Sequence, residues 1–280
     1  MSGCTGFIGK VLLEKLIRTT NFKKIFVLIR PKQGRTLHQR MEKEIFGSEL
    51  FEILFSQRPE LREVAYKRVV PVSGDLVIKN LGIEPSMRQQ LIDEVEVILN
   101  FAASIDFHEP IHEALQINFY GASRVLELAR ECKRNLILLH VSTAYVNAHL
   151  GEHTEISETF HPFREDWEDY IKQIEAMTPQ YAEQNMDKIL MDFLNTYMMT
   201  KHMAELYIAK YRGDVNVAIN RPGMVCPSLR DPFPGWTDTV AASGTITLPT
   251  VMGWSRHWAG NPDTITDFIP VDIAVNQALL

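Results

Sequence analysis

The chain holds only three cysteines in 280 residues, Cys4, Cys132 and Cys226, and none lies in a CxxC pair. An odd, widely spaced set argues against a disulfide framework and fits a reducing compartment. No Cys/His cluster has the spacing of a zinc site, so no metal is expected. Basic charge is scarce as well: 29 Lys and Arg against 35 Asp and Glu leave a formal net charge of −6. With no Lys/Arg-dense run to offset that balance, nucleic acid is excluded as a partner. Long apolar runs are also missing. The longest stretch without charge, residues 239–255, contains Ser243, Gly244, Pro249 and several threonines. That is too polar for a spanning helix, which needs about 20 mainly apolar residues. No secretory leader is expected, because Ser2 and Gly3 open the chain. Repeats and low-complexity tracts are absent, and an apolar content of 45% excludes a disordered or fibrous chain.

Against these absences stands a regular alternation. Short β-rich runs occur at Ile25–Ile29, Val69–Val72, Val95–Leu99, Leu136–Val141 and Val215–Ile219. Their near-continuous apolar character predicts strands of a parallel sheet covered on both faces. Amphipathic stretches lie between them, one through Leu12, Leu13, Leu16 and Ile17, another from Ala114 to Leu128. This alternation predicts an α/β fold with a doubly wound parallel sheet. Helical insertions are expected near residues 32–67 and 151–195. From Pro222 the composition shifts to Pro, Gly and Trp. The expected division is therefore a dinucleotide-binding domain over 1–221 and a smaller irregular substrate lobe over 222–280.

The opening residues Gly3-Cys4-Thr5-Gly6-Phe7-Ile8-Gly9 form a GxxGxxG pattern that runs into a helix expected from Lys10 to Arg18. Gly3 and Gly6 allow a tight turn and close approach of a pyrophosphate, and Gly9 allows the helix to pack closely; Thr5, Phe7 and Ile8 complete the loop. The same pattern also suits an ordinary strand-to-helix turn. A strand should precede Gly3, yet only Met1 and Ser2 do, so a missing first strand is expected. After Ile29 come Arg30 and Lys32, with no acid before Gly34. Acids at this place read the ribose 2′-hydroxyl of NAD, whereas basic residues suit the 2′-phosphate, so NADPH is the expected cofactor. Asp75 and Leu76 of Gly74-Asp75-Leu76 are candidates to contact adenine, although an Asp there equally caps a turn.

Tyr197 and Lys201 lie four residues apart in a helical stretch and share one face. A lysine cation near a phenol favours phenolate, and Tyr197 could then donate a proton to an oxyanion. Lys201 could also hold the nicotinamide ribose. Thr143, with Ser142 in support, places hydroxyls just beyond a buried strand. Asn118 could bridge to Lys201 through water. Taken in order, the glycine loop, the basic strand end, Asp75-Leu76, Asn118, Ser142-Thr143 and Tyr197-x-x-x-Lys201 supply the parts of one nicotinamide site.

With these motifs the chain resembles the extended short-chain dehydrogenase/reductases and, more narrowly, the fatty acyl-CoA reductase (male-sterility) family. The narrower likeness rests on Thr5–Leu16, His140–Tyr145, Asn195–Tyr197 with Thr200-Lys201 and Ala204-Glu205, Asn220-Arg221-Pro222, Pro232–Trp236 and Ile269–Asp272. The resemblance implies a Rossmann fold and NADPH-dependent reduction of a long-chain acyl-CoA to a primary alcohol through an aldehyde-level intermediate. It implies Tyr197 as proton donor, Lys201 as its tuner and ribose ligand, and Thr143 with Ser142 as carbonyl-orienting groups. It further implies a C-terminal region beyond Leu280 through which the protein could attach to peroxisomal or endoplasmic-reticulum membranes; the oligomeric state stays open. The chain departs from the family at Asn100, where His is common, at Asp106, where Arg is usual, and at Gly223, where Ser is common. Two other readings stay open: an extended-family oxidoreductase or epimerase acting on a nucleotide sugar or a steroid-like substrate, and a non-catalytic dinucleotide-binding protein.

Overall fold

The computed structural model describes residues 1–151, 154–261 and 263–280; Glu152 and His153 of the expected 151–195 insertion lie outside them. In chain order the elements are α1 (Phe7–Thr19), β1 (Ile25–Ile29), α2 (Leu37–Met41), α3 (Glu49–Gln57), α4 (Glu60–Arg68), β2 (Val69–Ser73), α5 (Pro85–Glu94), β3 (Val97–Asn100), α6 (Ile111–Ala114), α7 (Tyr120–Glu131), β4 (Ile137–Val141), α8 (Trp167–Ala176), α9 (Pro179–Gln184), α10 (Met186–Leu190), α11 (Thr196–Tyr211), β5 (Asn216–Asn220), β6 (Met224–Cys226), α12 (Gly244–Val251), β7 (Phe268–Pro270) and α13 (Val271–Leu279). The five β-rich runs of the sequence all become strands, Ile25–Ile29 unchanged and the others with ends displaced by at most two residues.

The chain divides into two compact units, one of residues 1–2, 30–33 and 72–221, the other of residues 3–29, 34–71 and 222–280. A boundary lies at Arg221/Pro222, and the segments carrying α1 to α4 group with residues 222–280. The physical reason is packing: α1 lies against α13 as well as against α3 and α4.

In the first unit, β3, β4 and β5 form a parallel sheet in that order. Its register sets Asn100 beside His140 and His140 beside Ile219. Ser2 continues the row with a single parallel bridge to Asn100, its N–H donating to the Leu99 carbonyl at 2.9 Å. α11 starts at an Asn195 cap whose side chain accepts from the Met198 N–H at 2.9 Å. It is buried on almost every side, so packing rather than amphipathic patterning holds it. Met199 and Met203 sit in a core with Trp167, Tyr170 and Ile174 of α8, with Phe119 and with Phe193. The aromatic insertion after Gly151 thus supplies core for α11. A π-helical turn, Leu115–Phe119, joins α6 to α7 and carries Asn118; such turns re-aim side chains and often mark functional positions.

In the second unit, β1 pairs with β2 and β6 pairs in parallel with β7. Phe7 stacks on the buried Trp236 with ring centroids 5.4 Å apart. Lys10 pairs with Asp238, and Lys15 and Arg18 both reach Asp231 at 3.5 and 3.4 Å. The buried Asp272 carboxylate accepts the backbone N–H groups of Leu229, Arg230 and Asp231, which fixes the turn ahead of Pro232. Gly223 has a local reason: a Cβ there would stand 2.4 Å from the Asp267 carbonyl oxygen. No described helix is long and apolar enough to cross a membrane.

Candidate active site

β4 ends at Val141 and delivers Ser142 and Thr143 in extended backbone before a 3-10 segment, Ala144–Leu150. Thr143 caps that segment, its hydroxyl accepting from the Tyr145 N–H at 3.4 Å. The same hydroxyl is near enough to the Tyr197 phenol to act on its proton affinity. Burial pushes the Tyr197 pKa upward, and the Thr143 hydroxyl opposes that shift. An upward shift keeps the phenol protonated at neutral pH. The exposed Phe107 ring lies 5.8 Å from the Tyr197 ring, centroid to centroid, and forms an apolar wall beside the phenol.

Lys201, one turn beyond Tyr197, is fully buried at 2% exposure. Its Nζ donates to the Val141 carbonyl at 2.5 Å and lies 3.3 Å from His140 Nε2. Burial pushes its pKa down to about 8, with Glu205 acting in the opposite direction. The Glu205 carboxylate is in turn held by Arg221, with contacts at 2.5, 3.0 and 3.1 Å. Two side chains outside the expected site therefore shape it: His140 and Glu205 both sit inside stretches that carry the family resemblance, His140–Tyr145 and Ala204-Glu205, but neither had been given a role.

Ser142 is buried, and its Oγ has no hydrogen-bond partner among the described residues. A buried hydroxyl left so is costly unless something else satisfies it. Asn118 does not reach Lys201 directly. Its Oδ1 accepts from the Ser104 N–H at 2.9 Å, while its Nδ2 donates to the Ser104 carbonyl and to Thr200 Oγ1, both at 3.1 Å. The amide ties the segment after β3 to α11, so its visible role is to position the helix carrying Tyr197 and Lys201. Leu76 is buried against Gly121, where an added Cβ would come within 3.1 Å of its own Cβ. Asp75 accepts from the Val77 N–H at 3.2 Å, the turn-capping role that its sequence context also allowed. Arg30 and Lys32 are exposed at the end of β1.

The glycine loop lies in the second unit. Gly3 has φ +77°, the left-handed region that favours glycine. A Cβ on Gly9 would stand 2.0 Å from the Gly3 carbonyl oxygen, so only glycine lets α1 leave the loop this tightly. Gly6 caps α1 without a side-chain partner. The N–H groups of Phe7, Ile8 and Gly9 precede the first helical acceptor, Gly6, which takes the Lys10 N–H. This leaves α1, a 13-residue helix, with an exposed-glycine N-terminus suited to an anion. Cys4, inside the loop, is buried with its thiol pushed up to about 12, so it acts as packing rather than as a nucleophile. The glycine loop fits the pyrophosphate of a nicotinamide dinucleotide. Among the described residues no group of three or more His, Cys, Asp or Glu could hold a metal ion.

The parallel sheet, the glycine loop and the Thr-Tyr-Lys grouping define the extended short-chain dehydrogenase/reductase class. The family described as male sterility protein, a dinucleotide-binding family, matches residues 1–278, and the chain belongs to it. Among curated relatives, mouse fatty acyl-CoA reductase 2 is 33% identical over 280 residues, which is 100% of this chain and 53% of that protein. Human fatty acyl-CoA reductase 1 is 31% identical over the same length and is likewise covered to 53%. The chain thus spans about half the length of the curated relatives it matches. Among solved structures, the terminal R domain from the myxalamid PKS-NRPS biosynthetic pathway superposes with a TM-score of 0.70 at 26% identity, over 99% of this chain and 60% of that one. A UDP-N-acetylglucosamine 4-epimerase from Methanobrevibacter ruminantium M1, at 14% identity, shares the fold with a TM-score of 0.59 over 99% of this chain and 70% of that one.

Proposed function

We propose that this chain is the reductase portion of an alcohol-forming fatty acyl-CoA reductase that uses NADPH. The observation that carries the reading is Thr143 acting on the Tyr197 phenol with the buried Lys201 one turn further along α11, in a chain of this family. When bound, NADPH supplies the hydride for reduction of the acyl thioester. Thr143 and Tyr197 are the donors for the acyl oxygen as it gains negative charge, and donors fixed in advance where charge develops give the largest stabilisation. Tyr197 suits the proton-donating role because burial keeps its phenol protonated. The coenzyme A thiolate leaves without a dedicated acid, because a thiol is a weak base at neutral pH. A second reduction at the aldehyde level gives the alcohol, Tyr197 again supplying the proton. Lys201 has three N–H donors when charged, one of them on Val141, which leaves capacity for a ribose hydroxyl. Arg30 and Lys32 suit the 2′-phosphate, and Gly3, Thr5, Gly6, Phe7, Ile8 and Gly9 the pyrophosphate.

The test is product analysis by mass spectrometry with a panel of acyl-CoAs and both nicotinamide cofactors. The expected outcome is primary alcohol with two NADPH consumed per acyl group; absence of cofactor oxidation with every acyl-CoA would refute the reading. Tyr197→Phe should lower turnover by about 100-fold or more with NADPH affinity nearly intact. A Tyr197→Phe variant with the parent rate would remove the phenol from the chemistry.

A further inference from the structure

Behind Lys201 a row of polar side chains crosses the sheet and is buried from end to end. Ser2, Asn100, His140 and Lys201 are 6%, 2%, 1% and 2% exposed. They come from four separate places: the bridge beside β3, β3 itself, β4 and α11. Ser2 Oγ donates to Asn100 Oδ1 at 2.7 Å. Asn100 Nδ2 lies 3.1 Å from His140 Nδ1, and His140 Nε2 lies 3.3 Å from Lys201 Nζ.

The direction of these bonds follows from donor and acceptor counting. Ser2 Oγ accepts the Phe101 and Ala102 N–H groups at 3.2 and 3.1 Å, which occupies both its lone pairs. Its single proton must therefore go to Asn100, and the Asn100 atom facing it must be the carbonyl oxygen. The amide nitrogen then faces His140 Nδ1, and an NH2 group can only donate. Nδ1 is the acceptor, so the proton of a neutral imidazole sits on Nε2 and points at Lys201. An ammonium has no lone pair to receive it, whereas a neutral amine does. The amine can still donate to the Val141 carbonyl.

We infer that Ser2 and Asn100 lock His140 in its Nε2-protonated form, and that His140 is the positioning residue through which they bias Lys201 toward the uncharged amine. Charging Lys201 reverses what is required at Nε2, and the Ser2–Asn100 pair opposes that reversal. The row is not a proton wire, because the Asn100 amide donates without giving up a proton. Besides His140 from β4, the ionisable group acting on Lys201 is Glu205, one turn on along the same helix, and it favours the charged form. Tyr197 lies one turn back. Lys201 is thus held between a carboxylate that favours charge and an imidazole that opposes it, close to where its pKa of about 8 lets either form serve. The consequence for turnover rests on the reductase reading above; the lock itself does not.

The experiment reads the protein without substrate. In histidine-labelled 15N protein, His140 is followed by nitrogen NMR from below to above the Lys201 pKa, and Lys201 by its own labelled Nζ. The expected result above that pKa is an unprotonated Nδ1 and a protonated Nε2. Asn100→Asp replaces the donor at Nδ1 by an acceptor, so the proton should move to Nδ1 and the Lys201 pKa should rise. Ser2→Ala, which adds no charge, frees the Asn100 amide to turn over; the Lys201 pKa should rise by roughly half a unit to one unit, the worth of one net hydrogen bond. A protonated Nδ1 in the parent protein above the Lys201 pKa overturns the inference. So does a Lys201 pKa that stays put in Ser2→Ala. These outcomes are read in the absence of cofactor and acyl-CoA, so a protein that shows the lock but reduces no acyl-CoA refutes only the proposed reaction.

Discussion

Gly9→Ala isolates the demand that the glycine loop places on its sequence. In the folded chain the added Cβ would meet the Gly3 carbonyl oxygen at 2.0 Å, the Gly3 carbonyl carbon at 2.6 Å and Cys4 Cα at 3.0 Å. Contact distances between such atoms are about 3.5 Å, so backbone must retreat by more than an ångström. All three atoms belong to backbone, and no side chain can rotate away instead. Overpacking of this kind costs about 1–3 kcal/mol, while Ala in place of Gly in a helix returns at most about 1 kcal/mol. The two together leave a net loss of about 0–3 kcal/mol; three backbone contacts with nothing free to rotate place it in the upper half of that range, seen in urea as a lower midpoint at unchanged slope. Gly6→Ala is the control. Its Cβ would lie 3.4 Å from the same carbonyl, at φ −90°, which any residue adopts. It should stay close to the parent in stability. NADPH affinity should fall at least tenfold in Gly9→Ala, because a displaced Gly3 opens the turn ahead of α1. A Gly9→Ala protein as stable as the parent would refute the close-approach argument.

Three other perturbations test separate parts of the chain. Ser142→Ala removes a buried hydroxyl that has no partner among the described residues; the free protein should be equally or more stable in urea, while turnover falls, and a destabilised variant would show that the hydroxyl is already satisfied. Arg30→Ala should weaken NADPH binding more than NADH binding in a titration of both, and an equal loss would exclude Arg30 as the 2′-phosphate ligand. His202 sits among His149, Phe163 and Phe193, and burial pushes its pKa down to about 3. Between that value and the ordinary histidine range of about 6.5 the unfolded chain binds the extra proton, so stability should fall as pH drops through this window, by at most about 1.4 kcal/mol per pH unit for one group. His202→Phe keeps the aromatic packing and should flatten that slope, measured as urea midpoints at several pH values; an unchanged slope would mean that His202 binds its proton equally well in the folded and unfolded chain.

Much of the fold was legible because its signals are local. The apolar runs at Ile25–Ile29 and Leu136–Val141 become strands, the first unchanged and the second from Ile137. The glycine spacing marks the start of α1, although the helix begins at Phe7 rather than Lys10. The helix rather than the loop therefore contains Phe7, Ile8 and Gly9. Tyr197 and Lys201 share a face because any helix places i and i+4 together. What each side chain does there was less legible. Lys201 turns its Nζ to Val141 and His140, partners that its i, i+4 spacing from Tyr197 does not announce. Asn118 is engaged by Ser104 and Thr200, and the π-helical turn that aims it has no sequence signature. The second unit was also hidden, because nothing in residues 3–29 announces that α1 packs on α13.

The sequence alone therefore determined the element order, the tight glycine turn and the pairing of a phenol with an amine on one helix, all of which depend on residues within a few positions of each other. Tertiary structure alone decided the charge environment of that amine. Ser2, Asn100 and His140 meet only because parallel register sets strand ends side by side, across sequence separations of 98 and 40 residues. Hydrogen-bond direction along such a row depends on every member being in place, and no local pattern encodes that.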